Sequence, residues 1–252
     1  MDRLRTASPA ARIGVLVVLV VAAPFAAATT WAPIEVPDPL LEGEVCEVQT
    51  PMSWGGYVYR WNSKYDLVFW PYTVSPGIWY CAGSGFTALI DDFDEISTEE
   101  LDRIRAWLAR SRPDGDALES RLRLLEGIYA QRALDPEFEN RLLRILARWY
   151  QDLERFEAAD AYRRRALDHL EARLEGELEP IARLEYLYVA ANYTRHFGDT
   201  ARSDAYLERL QLALSEVTDP ELEGFVDYLT DLVQETVRIT PGGMLDPPRP
   251  GD

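Results

Sequence analysis

The chain has 252 residues and a mass of 28.7 kDa, with 47% hydrophobic and 27% charged residues. That composition suits one or two globular units and excludes a fibre or a multipass membrane protein. Its 43 acidic residues against 26 basic ones give a formal net charge of −17, which repels phosphate backbones and argues against nucleic-acid binding.

Residues 1–28 have the three-part layout of a secretory signal. Arg3, Arg5 and Arg12 precede the apolar run 13–21, and Ala26 and Ala28 supply the small residues of an A-x-A cleavage site. The apolar stretch is shorter than the ~20 residues a spanning helix needs, and Pro24 interrupts its end. The expected destination is therefore periplasmic or extracellular, with no stable membrane insertion after cleavage. In an oxidising compartment the two cysteines, Cys46 and Cys81, are most simply read as a single disulfide, the alternative being two buried thiols.

Residues 31–95 are rich in aromatic and β-branched side chains and broken by proline and glycine. Segments 56–61 and 65–70, separated by Asn62-Ser63-Lys64, read as two short strands joined by a turn, and residues 77–81 as a further strand. Such a unit has too few strands to bury a large core alone.

Residues 97–239 read as helical. Ser97-Thr98-Glu99-Glu100 is a capping box leading into Leu101, Ile104, Trp107 and Leu108 at helical spacing. Residues 116–132 carry Leu118, Leu122, Leu125 and Ile128 on one face, and Asp135-Pro136 opens the next helix with proline at its first position. Arg155-Phe156-Glu157-Ala158 separates that helix from one running to about Glu175, and further helices are expected over 180–197, 201–216 and 220–239. The proline- and glycine-rich residues 240–252 read as a flexible tail.

Consecutive amphipathic helices with short connections suggest helical pairs, and a tetratricopeptide pattern fits twice. In the first pair Leu143, Leu146, Ala147 and Tyr150 are followed by Ala159, Tyr162, Ala166 and Leu167. In the second, Leu187, Ala190 and Ala191 precede Gly198-Asp199, then Ser203, Tyr206 and Leu210. Registered on Glu154 and Gly198 the copies lie 44 positions apart, longer than the ~34 residues usual for such repeats.

Cys46-Glu47-Val48-Gln49, and Cys81-Ala82-Gly83-Ser84-Gly85-Phe86 followed by Ala88 and Asp92-Phe93, together resemble the bacterial family catalogued as domain of unknown function 2225. In that family two C-P-x-C-G knuckles precede an aromatic residue, a D-F pair and tetratricopeptide-like helices, a layout that matches most of residues 43–215. The resemblance implies a mainly α protein in which a small, zinc-ribbon-like β unit packs on a tetratricopeptide-like helical array. Gln49 and Ser84 stand where the family has the second cysteine of each knuckle, and two thiolates with an amide and a hydroxyl make a poor zinc site. No metal or other cofactor is therefore expected. Knuckles that share a metal would instead bring Cys46 and Cys81 within bonding distance.

His169 and His196 sit in no nucleophile motif and read as helix-surface residues. Asp91, Asp92, Asp94 and Glu95 form an acidic run without the spacing of a calcium loop and read as a solvated face. Asn192-Tyr193-Thr194 matches a glycosylation sequon but falls mid-helix. In the tetratricopeptide register, Arg141, Arg144 and Arg148 of the first pair, and Tyr188, Asn192, Arg195 and His196 of the second, would face one groove. Guanidinium forks there suit capture of a carboxylate from a peptide or a partner's acidic segment. The bland alternative pairs these arginines with neighbouring glutamates on a solvated face. With no residue set that assembles a reaction, the expected role is an exported, non-catalytic protein-interaction or scaffold module of the cell envelope with a protein or peptide partner. The alternative is a glycan- or small-ligand-binding protein or enzyme, using Trp54, Tyr57, Tyr59, Trp61, Trp70, Trp79 and Tyr80 of the β unit.

Overall fold

The computed structural model describes residues 31–52, 65–68, 77–111 and 117–246. The secretory segment 1–28, the strand expected at 56–61, residues 247–252 and the aromatics Trp54, Tyr57, Tyr59, Trp61 and Trp70 lie outside them.

Among the described residues the small β unit has two antiparallel two-stranded sheets. β1 (Trp31–Pro37) pairs with β2 (Val45–Pro51), placing Ile34 opposite Val48 and Val36 opposite Cys46. Alternate residues of these strands turn inwards, as a half-buried strand requires. β3 (Ile78–Tyr80), within the strand expected at 77–81, pairs with β4 (Thr87–Leu89). The tight turn between them is closed by the Cys81 N–H donating to the Phe86 carbonyl at 2.9 Å, with Gly85 at φ +82.

A disulfide joins Cys46 of β2 to Cys81, the residue after β3, with Cα atoms 5.0 Å apart, and so staples the two sheets together. The Asp38 carboxylate lies within 4.8 Å of both sulfurs and accepts the Leu40 N–H at 2.9 Å. Gln49 has an exposed side chain, and Ser84 accepts the Phe86 N–H at 3.1 Å, so each serves its own strand or turn. Tyr65 and Asp66, expected within a strand, lie in a turn instead, and Leu67 and Val68 are irregular. The Tyr65 and Asp66 carbonyls accept from helix side chains, Asn192 and Arg144 respectively.

Among the described residues there are seven α-helices: α1 (Thr98–Ser111), α2 (Leu118–Tyr129), α3 (Pro136–Asp152), α4 (Phe156–Leu174), α5 (Pro180–His196), α6 (Thr200–Glu216) and α7 (Glu223–Thr236). The capping box forms, with the Ser97 N–H donating to Glu100 at 2.9 Å and the Glu100 N–H to the Ser97 hydroxyl at 3.3 Å. Asp135 caps α3 through the Glu137 and Phe138 N–H groups. Asp219 opens a single 3-10 turn, Pro220–Leu222, ahead of α7. The β unit packs on α1 and α2 through Phe86, Ala88 and Phe93 against Ile104, Leu122 and Ile128, all buried.

α3 with α4, and α5 with α6, form two helical hairpins whose turns match residue for residue at an offset of 44. Arg155 donates to the Tyr150 carbonyl and Asp199 to the Thr194 carbonyl, both at 2.9 Å or less. Glu154 and Gly198 both adopt left-handed backbone, at φ 59 and φ +88. Phe156, expected within the first turn, is instead the first residue of α4. Ala147, Ala159, Ala191 and Ser203 are all fully buried, at the points where each hairpin needs its smallest side chains.

After α7 the chain crosses back over the hairpins. The Gly242 N–H donates to the His196 carbonyl at 2.8 Å, and Leu245 is fully buried. Residues 240–246, expected as the start of a flexible tail, are largely exposed but anchored, because Leu245 finds an apolar seat and the Gly242 and Leu245 backbones find partners.

Candidate functional site

The helix face expected to form an open groove carries two segments of the chain itself. Arg144 is 2% and Arg148 6% exposed, while Tyr188 and Asn192 are fully buried. Arg144 and Asn192 lie beneath residues 65–68 and Arg148 beneath Leu245, rather than on a free surface. Arg141 stays exposed, with its guanidinium over the Phe138 ring. Arg195 is turned away towards α6, donating to the Ser203 hydroxyl at 3.2 Å and pairing with Asp204.

The first occupant enters through Asp66. Its side chain is fully buried and accepts from one edge of the Arg163 guanidinium, Nε to Oδ1 at 2.9 Å and Nη2 to Oδ2 at 3.2 Å, while the Tyr193 hydroxyl donates to Oδ1 at 2.9 Å. Such a bidentate, fully desolvated pair satisfies both ions. Burial works to lower the Arg163 pKa, but the Asp66 carboxylate, with Tyr193 and Asp160, raises it on balance, so the guanidinium stays charged. Burial and the same carboxylate push the Tyr193 hydroxyl well above its ordinary range, which keeps it a donor. Two side chains then grip the backbone of this segment: Arg144 donates to the Asp66 carbonyl at 3.2 Å and Asn192 to the Tyr65 carbonyl at 3.2 Å. Arg144 is itself paired with Glu185 at 2.6 Å. The Tyr65 hydroxyl reaches the Glu235 carbonyl at 3.2 Å, and burial with the Glu235 charge pushes its pKa up to about 12.

The second occupant is the pair Leu245 and Asp246. The Leu245 carbonyl accepts from Arg148 Nη1 at 3.1 Å and its N–H donates to Gln151 Oε1 at 3.1 Å, so both backbone groups of one residue are held by side chains one helical turn apart on α3. Arg148 also pairs with the Asp246 carboxylate and with Asp152, each at 2.7 Å. Gln151 Oε1 receives Arg163 Nη2 at 2.7 Å, and because both of its partners are donors its amide orientation is fixed. The two occupants are thus linked through Arg163, which holds Asp66 on one side and Gln151 on the other.

The other candidates have structural partners. His196, expected on a helix surface, is 2% exposed, with Nε2 2.7 Å from Asp160 Oδ1. Asp160 also takes Arg163 Nη1 at 3.2 Å. His169 is half-buried with Nδ1 3.4 Å from the Asn140 amide. Within the acidic run, Asp92 is not simply solvated: it pairs with Arg132 at 2.8 Å and accepts the Tyr129 hydroxyl. Asn192 and Thr194 of the sequon are buried. Trp79 is a core residue, 5% exposed, its indole N–H donating to the Gln49 carbonyl at 2.8 Å, and Tyr80 lies under the Arg121 guanidinium.

Asp66, Arg163, Gln151, Tyr193 and Leu245 are the site residues that sequence reasoning missed. The sequence carries a signal for two of them: Asp66 is an aspartate inside the apolar run Tyr65-Asp66-Leu67-Val68, and Leu245 a lone leucine in a proline- and glycine-rich tail. No family model matches the chain, and neither a curated protein nor a solved structure does.

Proposed function

We propose that this chain is an exported, non-catalytic interaction module of the cell envelope that binds extended peptide segments of a partner on the face shared by α3 and α5. The observation that carries this reading is a repeated peptide grip. Arg148 and Asn192 occupy equivalent positions of the two hairpins, 44 residues apart, and each donates to a backbone carbonyl of a separate segment, Leu245 and Tyr65. Backbone carbonyls are common to every peptide, so a face that presents such donors in register is chemically suited to extended chain. The disulfide is compatible with an oxidising destination. The hairpins would be degenerate tetratricopeptide-like units, and the β unit a zinc-ribbon-like fold in which the disulfide replaces the metal.

The test is quantitative capture of envelope proteins on the chain from residue 29 onward, followed by calorimetry with each purified partner. A saturable partner whose binding weakens at least tenfold when a residue bordering this face is changed, Arg141→Glu, is expected. Absence of any saturable partner, or binding indifferent to Arg141→Glu and competed only by glycans, would overturn the reading.

A further inference from the structure

Resting on that reading, we infer that the seat of Leu245 and Asp246 is a peptide-recognition site specific for an apolar residue followed by aspartate, and that the chain's own C-terminal segment is its resident ligand. The ligand class is a partner's extended segment carrying that pair.

Three features of the seat point to recognition rather than incidental packing. Leu245 is fully buried, whereas its neighbours Met244 and Asp246 are exposed, so one side chain anchors the segment. Both backbone groups of that same residue are engaged, by Arg148 and Gln151. The next residue's carboxylate lies 2.7 Å from Arg148 Nη1. An apolar pocket, a main-chain clamp and a cation thus follow one another along two residues, and each reads a different property of a peptide.

The seat is also oriented from behind. Asp152 holds the other terminal nitrogen of Arg148 at 2.7 Å, and Arg163 fixes the Gln151 oxygen towards the peptide N–H at 2.7 Å. Neither contact involves the occupant. Positioned donors and acceptors of this kind lower the cost of ordering on binding. Apart from the Leu245 anchor, the stretch from Thr240 to Asp246 is largely exposed, with the Gly242 bond to His196 as its other backbone attachment to the hairpins. A segment held at so few points can be exchanged for another presenting the same pair.

The test uses the full chain and a labelled peptide of the sequence Thr-Pro-Gly-Gly-Met-Leu-Asp, read by fluorescence polarisation. Leu245→Ala empties the apolar seat in cis and should bind the peptide at least tenfold more tightly than the parent, whose own segment competes. Replacing leucine by alanine or aspartate by asparagine in the peptide, changes that cannot affect the protein's folding, should each weaken binding at least tenfold. If Leu245→Ala melts too early to use, Asp246→Lys, at an exposed position, weakens the resident segment without opening a cavity. Equal affinity for parent and variants, no binding to either, or indifference to the peptide's leucine would overturn the inference. So would a parent that runs as a dimer split by the peptide, since the occupant would then be a second copy. The assay contains no partner, so it can succeed where capture fails, and capture through another surface can succeed where it fails.

Discussion

Removing the Asp66 carboxylate should be among the most damaging single changes this protein can suffer. Arg163 is 1% exposed and Asp66 fully buried, so Asp66→Ala leaves a guanidinium in the interior without its bidentate partner and the Tyr193 hydroxyl without an acceptor. Breaking a buried pair from one side costs about 3–5 kcal/mol. At roughly 2–4 °C per kcal/mol for a domain of this size, the midpoint of thermal unfolding should fall by about 10 °C. Asp66→Asn, which keeps the shape and one acceptor, should fall between parent and Asp66→Ala. Asp102→Asn supplies the comparison, because its pair with Arg105 lies at the surface, where such pairs contribute about 0–1 kcal/mol. Circular dichroism melts, checked by urea unfolding, read all three. A shift of less than about 2 °C for Asp66→Ala would refute the reasoning, since it would mean that Arg163 is solvated or paired elsewhere at no cost.

Three further outcomes are expected. Glu100 accepts from the Ala133 N–H, the Ser97 hydroxyl and the Ser97 N–H, which together lower its pKa from 4.5 to about 2. Because the folded value is depressed, this contribution is present above about pH 4.5 and is lost as pH falls towards 2. Glu100→Gln should therefore cost about 1–2 kcal/mol at neutral pH and remove that part of the acid dependence, as seen in urea midpoints between pH 2 and 6. The Cys46–Cys81 disulfide spans 35 residues and contributes about 4 kcal/mol on the chain-entropy model. The unfolded protein should take up alkylating reagent only after reduction, and full labelling without reductant would contradict the pairing. Glu154 sits in left-handed backbone where the second hairpin has Gly198. Glu154→Gly should stabilise by about 0.5–1 kcal/mol and Gly198→Ala destabilise by about 1–2 kcal/mol, and urea midpoints moving in the opposite directions would exclude the shared turn geometry.

What the sequence disclosed is what local chemistry determines. Ser97 with Glu100, Asp135 with Pro136 and Asp219 with Pro220 each mark a helix start through bonds to nearby backbone, and those starts lie within a few residues of the observed ones. β1 escaped because Pro33 and Pro37 argue against a strand; among the described residues it pairs with β2 alone. The groove shows the harder limit. Helical spacing does put Arg144, Arg148 and Asn192 where they can grip a peptide, but their partners lie 78 to 127 residues away in sequence. Periodicity assigns a face to a helix and says nothing of which distant segment covers it. His196 was misplaced for the same reason, since its partner Asp160 lies on α4, 36 residues away.

The chemistry of this face also constrains how a partner could use it. Arg144, Arg148 and Asn192 are buried donors, and each depends on a carbonyl from a covering segment. If the covering segment simply left, each would lose that acceptor, at about 1–3 kcal/mol per group wherever water could not replace it. Leu245 would also surrender about 1.5–3 kcal/mol of apolar burial. An empty face is therefore a high-energy state, and on the proposed reading the segment would leave by exchange, with an incoming peptide supplying carbonyls as the resident one withdraws. The two occupants differ in how easily this can happen. Residues 65–68 are tied in by a buried carboxylate that Arg163 cannot lose cheaply, whereas Leu245 and Asp246 are held by one side chain, one backbone unit and a partly exposed ion pair. Exchange should begin at the C-terminal seat, with Asp66 remaining in place to keep Arg163, and through it Gln151, oriented for the incoming chain.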